Sequence, residues 1–240
     1  MSVDDEKNAV RERVWAVLIA AGVSTPDARG YIPDFVGSAG AAELLATTEP
    51  WRVARTVKAN PDTAQLPVRA RALAEGKLLY MAVPKIATVQ PFYLIDPAET
   101  ALAPAEAASS RVAAESSPRV GTEAMRPIDL VVCGTVAVNR QGARLGKGAG
   151  YSDIEVALLI EDGLVSDRTL IVTTVHSLQV VDEPLPEAEH DFRVDLIVTE
   201  KDIIVCPPSP RPAGLIWPSM PAEKVAAIPV LGLRAKKHCN

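Results

Sequence analysis

The second half of the chain alternates apolar runs with a helix-forming segment, and this order constrains the fold more than any other feature. Residues 128–133 and 170–175 are mainly apolar or β-branched, as strands buried on both faces of a sheet require. Residues 152–161 between them have a helical apolar period, and residues 194–199 and 202–205 are predicted to be two further strands. This order predicts an α/β fold with a mostly parallel, Rossmann-like sheet flanked by helices. Ligands of such sheets bind at the carboxyl ends of the strands.

The first half is predicted to contribute more helices and two strands. The predicted elements are helices over residues 4–21 and 64–75, shorter helical pieces over 39–47 and 51–57, and strands over 77–83 and 92–95. Residues 101–127 are rich in Ala, Ser, Pro and Glu, and are predicted to be a surface loop or weak helix. A chain of 240 residues fits one α/β domain or two small ones, and a single domain over residues 1–240 is favoured.

Charge and cysteine content narrow the class of protein. The net charge is −5 and the isoelectric point is about 5.3, which argues against a general binder of nucleic acids or membrane surfaces. The widely spaced cysteines Cys133, Cys206 and Cys239 indicate neither a disulfide framework nor a zinc site. The charged N-terminus does not match a secretory leader, and no apolar run reaches transmembrane length. We therefore expect a cytoplasmic protein; the sequence leaves its oligomeric state open.

The stretch from Gly142 to Asp153 is the strongest functional signal. It places four glycines, the cations Arg144 and Lys147 and one carboxylate directly before the predicted helix. Glycines let backbone N–H groups approach a ligand, and a helix start attracts anions. A nucleotide-phosphate site is therefore predicted, with Asp153 placed to hold a divalent metal. The spacing matches neither a Walker loop nor the dinucleotide fingerprint, so a flexible surface hairpin is the alternative interpretation.

This stretch resembles the signature R-L-G-x-G-x-G-Y-Y-D of the 5-formyltetrahydrofolate cyclo-ligase family, also called methenyltetrahydrofolate synthetases. The matching residues are Arg144, Leu145, Gly146, Gly148, Gly150, Tyr151 and Asp153. Two further motifs are similar to those of the family. Lys7 and Arg11 have the K-x-x-x-R spacing of its first helix, although charges on such a helix face are usually solvated. A late Leu-Pro pair is followed by an acidic motif that contains Asp191.

Residues 29–37, 174–182 and 214–217 look like a divergent branch of that family, the methenyltetrahydrofolate-synthetase-domain proteins. Animal members of the branch carry an additional RNA-recognition domain. This sequence has no aromatic RNA-binding motif of that kind, so the resemblance implies a small-molecule substrate and no nucleic-acid or membrane partner.

The resemblance implies an ATP- and Mg²⁺-dependent enzyme with a cyclo-ligase fold similar to that of CoA transferases. Family members close the ring of 5-formyltetrahydrofolate to 5,10-methenyltetrahydrofolate through a phosphorylated formyl group. Lys147 and Arg144 are implied as catalytic cations, Asp153 and Asp191 as magnesium ligands, and Asn60 and Tyr151 as substrate contacts. The implied nucleotide contacts are Lys7, Arg11, Arg144, Leu145, Gly146, Lys147, Gly148, Ala149, Gly150, Tyr151 and Ser152.

Two residues depart from the family pattern. Asn60 stands where the family has a glutamate that contacts the pterin, and Ser152 replaces the second tyrosine of the signature. An amide and a carboxylate offer different donors and acceptors to an aminopyrimidine. An authentic cyclo-ligase is therefore ranked above two alternatives. The first is an ATP-dependent enzyme that activates a non-folate formamide or amide, linked to thiamin or to secondary metabolism. The second is a non-catalytic binder of nucleotide or folate.

Overall fold

The computed structural model describes residues 2–238, without the side chains of residues 237 and 238; Cys239 lies outside this range. Eight strands form the main sheet in the order β11-β10-β8-β5-β1-β2-β3-β4. Their bounds are β1 Thr56–Ala59, β2 Leu78–Ala82, β3 Phe92–Ile95, β4 Arg119–Val120, β5 Leu130–Cys133, β8 Leu170–Thr174, β10 Leu196–Val198 and β11 Ile203–Val205. The five strands from β10 to β2 are parallel, and antiparallel strands complete both edges. The predicted α/β class with a mostly parallel sheet is confirmed.

A small second sheet, ordered β7-β6-β9, lies beside the first. Its strands are β6 Ala137–Asn139, β7 Arg144–Leu145 and β9 Val180–Val181. β6 and β7 form a hairpin, in which the Gly142 N–H donates to the Asn139 carbonyl at 2.9 Å. Gly142 adopts φ +82°, and a Cβ there would lie 2.3 Å from the Val194 carbonyl oxygen, so this turn requires glycine. The hairpin leads directly into residues 146–150, the glycine-rich loop, which ends where α7 begins.

Helices cover both faces of the main sheet. They are α1 Val3–Ala20, α2 Ser38–Ala46, α3 Glu49–Val53, α4 Leu66–Ala74, α5 Pro104–Ala107, α6 Ser110–Ser116, α7 Tyr151–Glu161, α8 Ala222–Ala227 and α9 Pro229–His238. α1 begins with a capping box, because the Ser2 hydroxyl accepts from the Asp5 N–H at 3.2 Å and the Asp5 carboxylate accepts from the Ser2 N–H at 3.0 Å. Within residues 2–238, no helix combines the length and apolar character needed to cross a bilayer.

Alternation along the strands divides the core into two layers. Val57, Leu79 and Val132 pack in the layer that also contains apolar residues of α1, α2, α4, α5 and α6. Tyr80 and Val131 point the other way, into the layer that contains Val156 and Leu159 of α7. Helices α8 and α9 form a third cluster on α7. Side chains of neighbouring positions in one strand therefore meet different helices.

Strand order reverses between β1 and β5. The chain proceeds from β1 to β2 on one side, then returns to place β5 on the other side of β1. Both strands are parallel, so their carboxyl ends open a crevice at this switch point, where open α/β sheets bind ligands. Asn60 follows β1 and Gly134 follows β5 at this position.

Most predicted elements occur within a few residues of their expected bounds, but two predictions need correction. The helix expected over residues 51–57 ends at Val53, and Thr56–Ala59 is the central strand β1. All four residues of β1 are buried, and the strand pairs with β2 on one side and with β5 on the other. Neither feature can be predicted from a short segment that contains the charged residue Lys58. Residues 101–127 are not simply a surface loop, since they form α5, α6 and β4, with Ala107, Ala108 and Ala113 buried.

Candidate functional site

A cavity of about 390 Å³ opens at the switch point of the sheet. Its wall combines the opening helix α1, the loops after β1, β2 and β5, the glycine-rich loop, the start of α7 and residues 190–191. Every residue predicted for the site lines this cavity, namely Lys7, Arg11, Asn60, residues 144–153 and Asp191. The structure thus brings together segments that are far apart in sequence, while the role of each residue stays a prediction.

Lys7 and Arg11 of α1 are buried rather than solvated. Lys7 is 4% exposed and forms an ion pair with Asp191. Arg11 is 7% exposed, and its Nε donates to the Gly146 carbonyl at 2.7 Å while its Nη1 donates to Asn8 Oδ1 at 2.5 Å. Burial lowers the pKa of Arg11, although Asp4 and Asp191 act in the opposite direction. Arg11 therefore holds the glycine-rich loop against α1.

Arg144 is the more deeply buried of the two arginines that line the cavity. Its Nη2 donates to Asp153 Oδ1 at 2.7 Å, and its guanidinium carbon lies 4.0 Å from the centroid of the Phe192 ring. Burial opposes its charge, but Asp153 and other nearby carboxylates raise its pKa overall. Nε and Nη1 of Arg144 are buried with no hydrogen-bond partner among the described residues. Buried donors normally find partners, so these N–H groups suit an anionic ligand.

The glycine-rich loop owes its path to positive φ angles and close contacts. Gly148 adopts φ +93°, and a Cβ there would lie 3.3 Å from the guanidinium carbon of Arg11. Gly150 adopts φ +69° at the N-cap of α7, which leaves the first N–H groups of that helix facing the cavity edge. Lys224 of α8 donates to the Ala149 carbonyl at 2.6 Å and lies 4.4 Å from the centroid of the Tyr151 ring. The loop is therefore fixed from both sides, in contrast to a flexible surface hairpin.

Sequence reasoning missed several residues of the cavity. Lys147 Nζ lies 3.5 Å from Asp62 Oδ1, so this cation is paired with the loop after β1. Lys58 contacts Glu155, which lines the cavity from the second turn of α7. Neither pair is predicted from the sequence, because strand β1 is not recognised there and Glu155 lies two residues beyond Asp153, the last residue of the family motif. The Asp62 and Glu155 carboxylates add acceptors beside Asn60.

The loop after β2, which forms another part of the cavity wall, contains strained backbone. Lys85 and Ile86, after β2, adopt φ +59° and +51°, a region that costs non-glycine residues energy. Ile86 is fully buried and packs with Leu158 in the third cluster, whereas Lys85 is exposed and lines the cavity. Packing of Ile86 thus holds an exposed cation at the cavity edge.

Two of the cavity carboxylates fit a magnesium ion that arrives with a nucleotide. Among the described residues, no group of three or more His, Cys, Asp or Glu side chains could hold a metal by itself. Magnesium, however, is commonly bound through one or two carboxylates together with phosphate oxygens and water. Asp153 and Asp191 line the same cavity, where each is paired with a cation. This donor set suits a shared site rather than a metal cage of protein ligands alone.

Fold and cavity together define an α/β protein with a glycine-lined cavity, bearing both cations and carboxylates, at the switch point of its sheet. The chain matches the 5-formyltetrahydrofolate cyclo-ligase family over residues 3–200. Because that match covers most of its length, the chain belongs to this family. The resemblance drawn from Arg144 to Asp153, Lys7, Arg11 and Asp191 is thereby confirmed at the level of the family.

Known proteins with similar sequences are the methenyltetrahydrofolate synthase domain-containing proteins of animals. Those of Mus musculus and Homo sapiens are 36% and 34% identical to this chain, over 94% and 99% of its length. The chain spans 62% and 63% of these two relatives. The solution structure of the 5,10-methenyltetrahydrofolate synthetase of Aquifex aeolicus is similar, with a TM-score of 0.56 and 22% identity over 85% of this chain and 94% of that chain. That likeness concerns the fold.

Proposed function

We propose that this chain is an ATP- and Mg²⁺-dependent cyclo-ligase that converts 5-formyltetrahydrofolate and ATP into 5,10-methenyltetrahydrofolate, ADP and phosphate. One observation carries the proposal. Lys7 and Arg11 of the opening helix lie in the same cavity as the glycine-rich loop, and two buried nitrogens of Arg144 have no hydrogen-bond partner among the described residues. Family membership supplies the class of reaction.

The chain's own residues are suited to phosphoryl transfer to a formyl oxygen. Little covalent work is asked of the protein in such a transfer, because positioning and fixed positive charge lower the barrier. In the proposal, Lys7, Arg11 and the N-terminus of α7 hold the triphosphate. Arg144 and Lys147 stabilise the charge that develops on the transferred group. The nearly buried positions of Lys7, Arg11 and Arg144 strengthen their electrostatic effect, since little water screens it.

Magnesium would be held by Asp153 and Asp191 and would supply charge neutralisation at the phosphates. Both carboxylates are paired with cations, Asp153 with Arg144 and Asp191 with Lys7. Phosphate oxygens would suit Lys7 and Arg144, and the two carboxylates would suit the metal. All four groups would then keep a partner of opposite charge, and a buried charge without such a partner would cost several kcal/mol.

A second candidate function is ATP-dependent activation of a non-folate formamide or amide. The observation that favours it is a contact in the cavity. Asn60 and Ser152, the two residues that depart from the family pattern, are hydrogen-bonded, with 3.3 Å between Asn60 Nδ2 and Ser152 Oγ. The nucleotide-binding part would be unchanged in such an enzyme, and only the groups that meet the amide-bearing substrate would differ. A non-catalytic binder is ranked last, because the implied cations and carboxylates are all present.

The two functions are separated by one assay on the full chain. Protein, ATP, Mg²⁺ and 5-formyltetrahydrofolate are mixed, and methenyl absorbance is followed together with phosphate release. Equal rates of both support the folate cyclo-ligase. If neither appears while ATP raises the unfolding temperature, the folate reaction is rejected and a library of formamides becomes the next substrate set. If ATP gives neither turnover nor thermal protection, the nucleotide proposal itself is wrong.

A further inference from the structure

Four polar side chains form a connected chain behind the proposed substrate site. Lys58 Nζ donates to Asn60 Oδ1 at 2.7 Å and to Glu155 Oε2 at 2.5 Å. Asn60 Nδ2 in turn donates to Ser152 Oγ at 3.3 Å. Lys58 is fully buried, Glu155 is 4% exposed and Asn60 is 6% exposed. The two departures from the family signature therefore belong to one network that also contains a buried ion pair.

Strand alternation explains the position of the ion pair. Val57 and Ala59 of β1 face the layer of α1, α2 and α4, so Lys58 between them faces α7. A buried ammonium requires a carboxylate and further acceptors, which Glu155 and the Asn60 amide provide. Burial raises the pKa of Glu155, and Lys58 counteracts that effect.

The pair also explains why residue 60 is an amide. A glutamate at position 60 would lie within reach of Lys58, as the Asn60 oxygen does now. Two carboxylates would then share one ammonium in a nearly dry site and leave a net buried negative charge, which is strongly unfavourable. With Asn60, the network is neutral. The carboxylate of this network is thus supplied by helix α7.

We infer that Glu155 is the specificity-determining residue that recognises N–H donors of the substrate, while Asn60 contributes an amide donor beside it. Within residues 2–238, Glu155 makes its hydrogen bond through Oε2, which leaves Oε1 to accept from a ligand in the cavity that Glu155 lines. The matching ligand class is a planar ring with adjacent N–H donors, such as the 2-amino-4-oxopyrimidine edge of a folate. This inference rests on the proposed function in one respect, namely that the substrate occupies this cavity.

The test measures binding of 5-formyltetrahydrofolate and, separately, of ATP by calorimetry, so that it does not depend on turnover. Glu155→Gln leaves Lys58 buried without a charged partner and is open to misfolding, so the main variant is Lys58→Met/Glu155→Gln, which removes both charges. We expect its folate affinity to fall by about tenfold or more, the size of a lost charge-assisted hydrogen bond, with ATP affinity within about twofold. Glu161→Gln, on the same helix but outside the cavity, is the matched control and should bind both ligands normally.

A relocation variant distinguishes recognition from a purely structural role. Asn60→Glu/Glu155→Gln returns the carboxylate to the loop and keeps one partner for Lys58. It should recover folate affinity to within about threefold of the original chain, since a single charge-assisted contact is restored. Asn60→Glu alone should be less stable than either, because it adds an unpaired carboxylate.

The outcomes separate the two proposals. Loss of folate binding in the Lys58→Met/Glu155→Gln variant with recovery in the relocation variant supports the inference. Unchanged folate affinity in the folded double variant overturns it and leaves the cyclo-ligase proposal intact. Folate binding without ring closure by the original chain rejects the cyclo-ligase reaction while the Glu155 comparison still decides recognition. An original chain that does not bind the folate overturns both.

Discussion

At the scale of single residues, Arg144 couples the fold to the proposed chemistry. Its side chain is almost completely buried, paired on one side with Asp153 and stacked on Phe192. Most buried arginines donate hydrogen bonds from all of their nitrogens. In contrast, Nε and Nη1 of Arg144 have no hydrogen-bond partner within the described range. Asp153 and Phe192 thus fix the position of the side chain, and its role in binding a nucleotide is part of the proposed function.

Replacing Arg144 by Lys tests this role without removing the positive charge. A lysine can still pair with Asp153. It lacks the planar guanidinium, whose Nε and Nη1 have no partner among the described residues of the original chain. We expect ATP affinity, measured by calorimetry with Mg²⁺, to fall by about tenfold or more. Arg193→Lys, at an arginine paired with Glu187 outside the cavity, is the matched control. Equal ATP affinities of the two variants would contradict the assignment.

The Cys206 thiol gives a prediction of pH dependence. Burial, followed by the neighbouring Asp195, raises the pKa of Cys206 from its ordinary value near 9 to about 11. Between these pH values the unfolded chain has lost the thiol proton and the folded chain keeps it, so the free energy of unfolding falls as pH rises. Cys206→Ala should therefore show a shallower loss of stability than the original chain between pH 9 and pH 11. Denaturant unfolding at several pH values measures this difference, and identical slopes would refute it.

At the scale of elements, the glycine-rich loop is a joint between hairpin β6–β7 and helix α7. Its conformation depends on contacts made by two other elements, since Arg11 of α1 holds Gly146 and Lys224 of α8 holds Ala149. The N-terminus of α7 and the cations of α1 face one cavity only because this loop is fixed. The loop is therefore part of the rigid frame of the site.

Gly148→Ala should disrupt this joint. The added Cβ is strained at φ +93° and lies 3.3 Å from the Arg11 guanidinium carbon, so Arg11 must shift. Gly163→Ala is the matched control, because Gly163 has φ +68° with no heavy atom within 4 Å of the added Cβ. Both variants should lose about 1 kcal/mol of stability, but only Gly148→Ala should also lose ATP-dependent thermal protection. Normal protection in Gly148→Ala would show that the loop tolerates displacement.

At the scale of the whole molecule, the C-terminal helices extend the site beyond the family match. That match ends at residue 200, whereas Leu215, Ile228 and, in α9, Leu231 lie beyond it and pack in one cluster with residues of α7. Lys224 reaches from α8 to the glycine-rich loop. The C-terminal region thus serves as an outer support of the cavity.

Lys224→Met tests that support. The variant keeps much of the aliphatic stem but loses the hydrogen bond to the Ala149 carbonyl and the cation over the Tyr151 ring. We expect ATP affinity to fall about threefold to tenfold, as for one hydrogen bond plus a cation–π contact, with a small change in melting temperature. Lys236→Met, at an exposed lysine of α9, should leave ATP affinity unchanged. A Lys224 variant with unaltered affinity would limit α8 to packing.

The sequence by itself determined the class of fold and most of the residues that are grouped at the candidate site. The local patterns of this chain are the continuous apolar strands, the helical period of α7 and the glycine-cation motif. Such patterns can be recognised in the sequence without knowledge of the fold. The glycine-cation motif predicts an anion site over residues 142–153, and the resemblance to the family adds Lys7, Arg11 and Asp191; Lys7, Arg11, residues 144–153 and Asp191 line one cavity.

Only the tertiary structure decided how these residues are partnered. The predicted helix over residues 51–57 includes the first half of the central strand β1, and the strand itself is not predicted, because four residues carry almost no periodic signal. Its misassignment hid the Lys58–Glu155 pair, whose members are 97 positions apart. Burial of Lys7 and Arg11, and the contact between Asn60 and Ser152, likewise depend on which strand lies next to which. Pairing over such distances is set by topology, and a linear pattern of residues does not contain it.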